Sequence, residues 1–154
     1  MKRGISFEIP NKYGRWLGEI LKPIDITAFD WQIGSGESYT VIDEQLDEEL
    51  FSNERNIIEG AGLKNRIEAN RYYIIFTDLQ AFPKNEVTRV ETFEEFLESD
   101  CQLVLLVVDC IYVTIYCKNQ ESIELLNKNA IACGFEEIEY ITDENDGRTR
   151  LSVW

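Results

Sequence analysis

Apolar and polar positions alternate from the first residues of the chain. Ile5, Phe7 and Ile9 are separated by Ser6 and Glu8, which predicts a half-buried strand over residues 2–9. The period then changes. Tyr13, Trp16, Leu17, Ile20 and Leu21 recur at helical spacing, so a helix is expected after Pro10, with Asn11 as its N-cap and Pro23 as its stop. Alternation returns at Phe29, Trp31 and Ile33. Gly34-Ser35-Gly36 reads as a hairpin turn into a strand over residues 38–43.

The middle of the chain is less regular. Leu46, Leu50 and Phe51 suggest a short helix in residues 43–54, and Leu63 and Ile67 a second one over 61–69. Residues 72–77 (YYIIFT) form a buried strand, and residues 84–90 a loop. Thr92 and Glu95 make a capping box, with Phe93, Phe96 and Leu97 as the buried side of the helix it opens. Residues 103–117 hold too much Val, Ile and Tyr for a helix. Two strands joined at Asp109-Cys110 is the preferred reading, and one long bent strand competes with it. Asn119 caps a helix over 120–133, with Ile123, Leu126 and Ala130 inward and Gly134 at its end. Residues 135–143 and 148–154 read as a closing hairpin around Asp146-Gly147, which would set Asp143 opposite Arg150.

This order predicts an α+β protein: a mainly antiparallel sheet with helices on one face. It is also compatible with two β-α-β-β (ferredoxin-like) half-repeats, about 1–70 and 71–154, within a single domain. A chain of 154 residues is long enough to bury a substantial core.

Composition then removes classes of function. There is no histidine, so triads and zinc sites built on imidazole are excluded. Four cysteines (Cys101, Cys110, Cys117, Cys133) show no metal-ligand or redox spacing, and no cofactor or metal is expected. Asp143 to Gly147 resembles a calcium loop in composition, but its register fails the EF-hand pattern. The longest apolar stretch is 15 residues and is broken by Asp109, so no membrane span is expected. The opening residues do not read as a signal peptide, so the expected compartment is cytoplasmic, with reduced thiols. Asp109, inside that stretch, reads as a turn residue rather than an acid or base.

Charge gives the only positive hint. The formal net charge is −14, with −4 in residues 1–77 and −10 in residues 78–154. Such a surface repels nucleic acid, and leaves a basic protein or a small cation as partner. The acids fall in three runs without a base: residues 43–54, 91–100 and 136–146. Asp43, Glu44, Asp47, Glu48, Glu49, Glu94, Glu95 and Glu98 are the candidate acidic face. A solvated surface explains the same runs without any partner. Core packing is the preferred reading of the large aromatics, and Trp31, Glu37, Tyr39 and Tyr72 are the alternative candidates for an aromatic and acidic pocket that would hold a cation.

The segments "MKRGISFEIPNKYG", "TDLQAFPKN", "LVVDCIYVTIYCK" and "YITDENDGRTRLSVW" resemble a family of small uncharacterised proteins from Bacillus-type bacteria over the whole length. The resemblance implies a bacterial cytosolic protein and brings no activity. The element order alone is similar to gyrase-inhibitor-like domains, which hold cationic aromatic ligands.

Three functions follow as expectations. The first is a non-catalytic interaction protein whose acidic face binds a basic macromolecule. The second is a binding module for a cationic aromatic molecule. The third, with least support, is an enzyme working through carboxylates.

Overall fold

The computed structural model describes residues 1–51 and 56–153. Its strands are β1 (Lys2–Glu8), β2 (Phe29–Ile33), β3 (Glu37–Ile42), β4 (Gln45–Glu49), β5 (Ile57–Glu59), β6 (Tyr72–Pro83), β7 (Leu103–Val108), β8 (Tyr112–Cys117) and β9 (Glu136–Thr142). Its helices are α1 (Trp16–Ile20), α2 (Gly60–Ala69), α3 (Phe93–Glu98) and α4 (Gln120–Ala132). Among the described residues these strands join in one sheet in the order β4-β3-β6-β7-β8-β1-β9. β2 pairs further along β6, and β5 pairs with β2. All of these pairings are antiparallel. The fold is α+β, as the sequence pattern predicts.

Burial on both faces explains why β7 is a continuous apolar run. Leu103, Leu105 and Val107 enter a large core with Leu17 and Ile20 of α1, Leu63 and Ile67 of α2, and Ile123, Leu126 and Ala130 of α4. Val104 and Leu106 enter a second core with Phe96 of α3 and Leu151 and Val153 of the C-terminal tail. Three helices therefore share one face and α3 covers the other. The ferredoxin-like half-repeats do not emerge from this order. β1 leaves the first half of the chain to pair between β8 and β9.

Several predicted elements hold. Asn119 Oδ1 accepts from Ser122 N at 2.9 Å, and Thr92 Oγ1 accepts from Glu95 N at 3.1 Å. Asp109 and Cys110 turn with φ of 52° and 69° between paired strands, so the hairpin reading of residues 103–117 is the right one.

Others are corrected. The first helix starts at Trp16 rather than at Asn11: residues 11–13 bend, and Gly14 makes a β-bridge with Tyr72 that holds it out of the helix. Asn11 instead accepts from the Tyr73 hydroxyl at 2.6 Å. Residues 45–49 are a strand, not a helix. Asp43 and Glu44 take φ of 53° and 61°, the left-handed pair that a two-residue hairpin turn requires. Leu97 is 56% exposed and Phe93 and Phe96 alone pack inward. The closing hairpin does not form. Residues 149–151 run along 91–93 instead, with Phe93 N to Thr149 O at 2.8 Å and Leu151 N to Glu91 O at 2.9 Å. Burial of Leu151 and Val153 in the second core drives that choice. Asp143 consequently meets Arg3 rather than Arg150.

The largest departure is at Gly34-Ser35-Gly36. β2 and β3 do not pair with each other. Both run along the same edge of β6, with Ile33 opposite Leu79 and Glu37 opposite Phe76. The three intervening residues stand opposite two, Thr77 and Asp78, so the segment is an interruption within one strand line. Glycine is required there by space. A Cβ on Gly34 would stand 2.5 Å from Asp78 Oδ2, and one on Gly36 would stand 2.7 Å from the Phe76 carbonyl oxygen.

Candidate functional site

The interruption gathers polar groups into an otherwise apolar sheet. Strand alternation turns Leu79 and Ala81 into the large core and leaves Asp78 and Gln80 facing residues 87–91. Gln80 is fully buried. Its side-chain amide donates to Val90 O at 2.8 Å and accepts from Val90 N at 3.0 Å. That double bond to the backbone fixes the loop so that Arg89 reaches Asp78. Arg89 Nη2 lies 2.5 Å from Asp78 Oδ2 and Nη1 lies 3.2 Å from Oδ1, a two-pronged pair. Arg89 also donates to Gln32 Oε1 at 2.7 Å and to Glu91 Oε1 at 3.2 Å. Burial raises the Asp78 carboxyl above its ordinary range, and Arg89 limits the rise. The pair thus stands as a salt bridge of which one partner is almost wholly desolvated.

A cleft of about 530 Å³ opens above this pair, lined in part by Gln32, Ser35, Asn56, Arg89, Glu91 and Arg150. An adjoining pocket of about 30 Å³ is lined in part by Glu37, Ser38, Glu49, Thr77 and Asp78. Thr77 is 2% exposed, and its hydroxyl oxygen has no hydrogen-bond partner.

The candidate acids occupy separate elements. Asp43 and Glu44 form the tip of the β3–β4 hairpin, and Asp47, Glu48 and Glu49 lie along β4, whose five residues are all exposed. Glu44 pairs with Arg71, which holds its carboxyl below the usual carboxylate range. Glu94, Glu95 and Glu98 lie on α3, and Glu95 accepts from Glu91 N at 2.9 Å. The third run lies on β9 and the turn after it. β4 and β9 are the two ends of the strand path. The first and third acid runs therefore mark opposite sheet edges, where like charge discourages edge-to-edge pairing with another copy, and the second lies on α3. Glu54 lies outside the described residues, as does Trp154.

The aromatic candidates are not gathered into one pocket. Trp31 is fully buried and donates from Nε1 to Ile26 O at 3.1 Å. Tyr72 is fully buried and its hydroxyl joins α1 to α2, accepting from Leu17 N at 2.9 Å and donating to Ile67 O at 2.9 Å. Glu37 and Tyr39 do meet, on β3, where the Tyr39 hydroxyl donates to Glu37 Oε2 at 3.0 Å. That bond raises the Tyr39 phenol.

Sequence reading missed Thr77, Asp78, Gln80 and Arg89. A signal was present: Asp78 and Gln80 alternate with Leu79 and Ala81 inside a 12-residue strand, which marks buried polar positions. The thiols offer no activated nucleophile in the core. Burial pushes Cys101 up to about 12 and also raises Cys117. No helix among the described residues is long and apolar enough to cross a membrane.

Fold and site together define an antiparallel α+β protein with acid-lined edges and a buried carboxylate–guanidinium pair at a strand interruption. Residues 2–152 match the model of a family described as "Protein of unknown function (DUF2691)". A protein of Bacillus subtilis (strain 168), described as "Uncharacterized protein YncE", is 50% identical over 154 residues, covering 99% of this chain and 100% of that one. The chain belongs to this family. No solved structure matches it.

Proposed function

We propose that the protein is a non-catalytic cytoplasmic interaction protein that binds a basic macromolecule through the acidic β3–β4 hairpin. The carrying observation is β4 itself, an exposed terminal strand with Asp47, Glu48 and Glu49, preceded by Asp43 and Glu44 at the turn. Ile42 (55% exposed) and Leu46 (46% exposed) stand among these acids. Apolar side chains beside a charged rim give a partner both contact area and steering. A net charge of −14 adds long-range attraction for a cationic partner and repulsion for nucleic acid.

The test uses the full chain and a fluorescent ten-residue lysine peptide. Affinity is expected to fall at least about tenfold between roughly 0.02 and 0.2 M salt, because exposed charges are screened within about 10 Å at 0.1 M. Asp47→Asn with Glu48→Gln is expected to remove most of the low-salt binding. Affinity that ignores both salt and these substitutions overturns the reading.

A further inference from the structure

Three tyrosines form a partly exposed row that borders the acidic hairpin. We propose that this row holds the guanidinium of an arginine on the basic partner, an inference that rests on the interaction reading above.

The row follows from strand register. Tyr39 of β3 stands opposite Tyr73 of β6, and opposed residues of antiparallel strands project from one face within reach of each other. The Tyr73 ring in turn meets Tyr13 edge to face, with centroids 5.7 Å apart. Two of the hydroxyls are tied down. Tyr73 donates to Asn11 Oδ1 at 2.6 Å, and Tyr39 donates to Glu37 Oε2 at 3.0 Å. Water still reaches all three residues: Tyr13 is 37% exposed, and Tyr39 and Tyr73 are half-buried. Rings held in this way offer contact area at little cost in conformational entropy.

A ring carries negative charge on its faces and attracts a cation. The protein uses this attraction elsewhere, with Lys2 over Tyr140, Arg3 over Phe93 and Lys118 over Phe96. Among the described residues no base lies over Tyr13, Tyr39 or Tyr73. Arg71 is paired with Glu44 instead. Charge complementarity selects the occupant. Glu37 is exposed and bonded to Tyr39, and Tyr39 stands opposite Glu49 on the acidic strand β4. A neutral apolar partner would have to strip water from Glu37, whereas a cation is drawn to it. Guanidinium suits both features. Its plane stacks on rings and its fork pairs with a carboxylate, while an ammonium is a strongly hydrated point charge.

The experiment measures the affinity of ten-residue arginine and lysine peptides for the full chain at one low ionic strength. Tyr13→Leu with Tyr39→Leu is expected to weaken the arginine peptide at least about threefold, the scale of an exposed contact between a cation and a ring, and the lysine peptide less than about twofold. Tyr13→Phe with Tyr39→Phe keeps the rings and is expected to keep the arginine affinity within about twofold of wild type. An arginine affinity that ignores the leucine substitutions would mean that the carboxylates alone hold the peptide. Equal losses for both peptides, or a phenylalanine variant as weak as the leucine one, would mean that no guanidinium sits on the rings. Each of these results overturns the inference and leaves the interaction reading intact. Failure of both peptides to bind the wild type overturns both. If the leucine variant does not fold, NMR of the wild type decides. The arginine protons next to the guanidinium are expected to shift upfield on binding, because they would lie over the rings, and an absent shift overturns the inference.

Discussion

Arg89 and Asp78 meet in two-pronged geometry across the interruption between β2 and β3, at 2.5 and 3.2 Å. The Asp78 side chain is 2% exposed and that of Arg89 is 25% exposed. Removing Arg89 leaves the Asp78 carboxylate buried without its cation, and removing Asp78 takes from Arg89 its two-pronged partner and leaves it Gln32 and Glu91. Asp78→Ala is therefore expected to cost about 3 kcal/mol, the lower end for a broken buried pair because Arg89 retains some water. Urea unfolding measures it. In a double-mutant cycle with Arg89→Gln, the two losses are expected to be non-additive by at least about 1 kcal/mol. Additive losses would show that the two side chains act independently.

Tyr72 offers a second test, of a single hydroxyl. Its oxygen accepts from Leu17 N and Gly18 N and donates to Ile67 O. Tyr72→Phe keeps the ring and strands these backbone groups in the core. A loss of about 2 kcal/mol is expected in the same denaturation assay. A loss below about 0.5 kcal/mol would mean that water reaches the α1–α2 junction.

The thiols should divide by burial. Cys101 and Cys117 are buried, whereas Cys110 and Cys133 are partly exposed. With a thiol reagent near pH 8, the native protein is expected to label at Cys110 and Cys133 first. Cys101, whose thiol is pushed up to about 12, should label only on unfolding. Peptide mapping reads the order, and early labelling of Cys101 would contradict the packing around it.

The tie between the turn after β9 and β1 should depend on pH. Arg3 Nε donates to Asp143 Oδ1 at 2.9 Å, which holds that carboxyl below the usual carboxylate range. A carboxyl depressed in the fold contributes stability above its unfolded value, about 3.9. That contribution is lost as pH falls through the lower folded value. NMR titration of Asp143 is expected to give a midpoint below about 3.9, and Arg3→Ala should raise it toward that value. An unchanged midpoint in the variant would remove Arg3 as the cause.

Local signals in the chain were strong wherever a few neighbouring residues decide the outcome. The caps at Thr92 and Asn119, the turn at Asp109-Cys110 and the apolar face of α4 all depend on contacts within one or two turns of backbone. The α+β class follows from the same local periodicities. The division of the acids into runs was also legible, because it is composition along a line.

Tertiary structure alone decided where those pieces meet. Gly34-Ser35-Gly36 has turn chemistry, yet β6 is 12 residues long and offers enough edge for β2 and β3 in succession, so the glycines became an interruption rather than a hairpin. The C-terminal segment could have paired with β9, but Leu151 and Val153 gain more by entering the second core. Asp78 and Arg89 are eleven positions apart and no short-range pattern joins them. Beside them, Gln80 holds the Val90 backbone from the same strand as Asp78. The sequence by itself determined the caps at Thr92 and Asn119, the turn at Asp109-Cys110, the α+β class and the distribution of charge, because propensity, capping and periodicity act over a few residues. Strand order, the hydroxyl of Tyr72 joining α1 to α2, and the pocket at Thr77 came only with the folded sheet, because they depend on contacts between residues far apart in the chain.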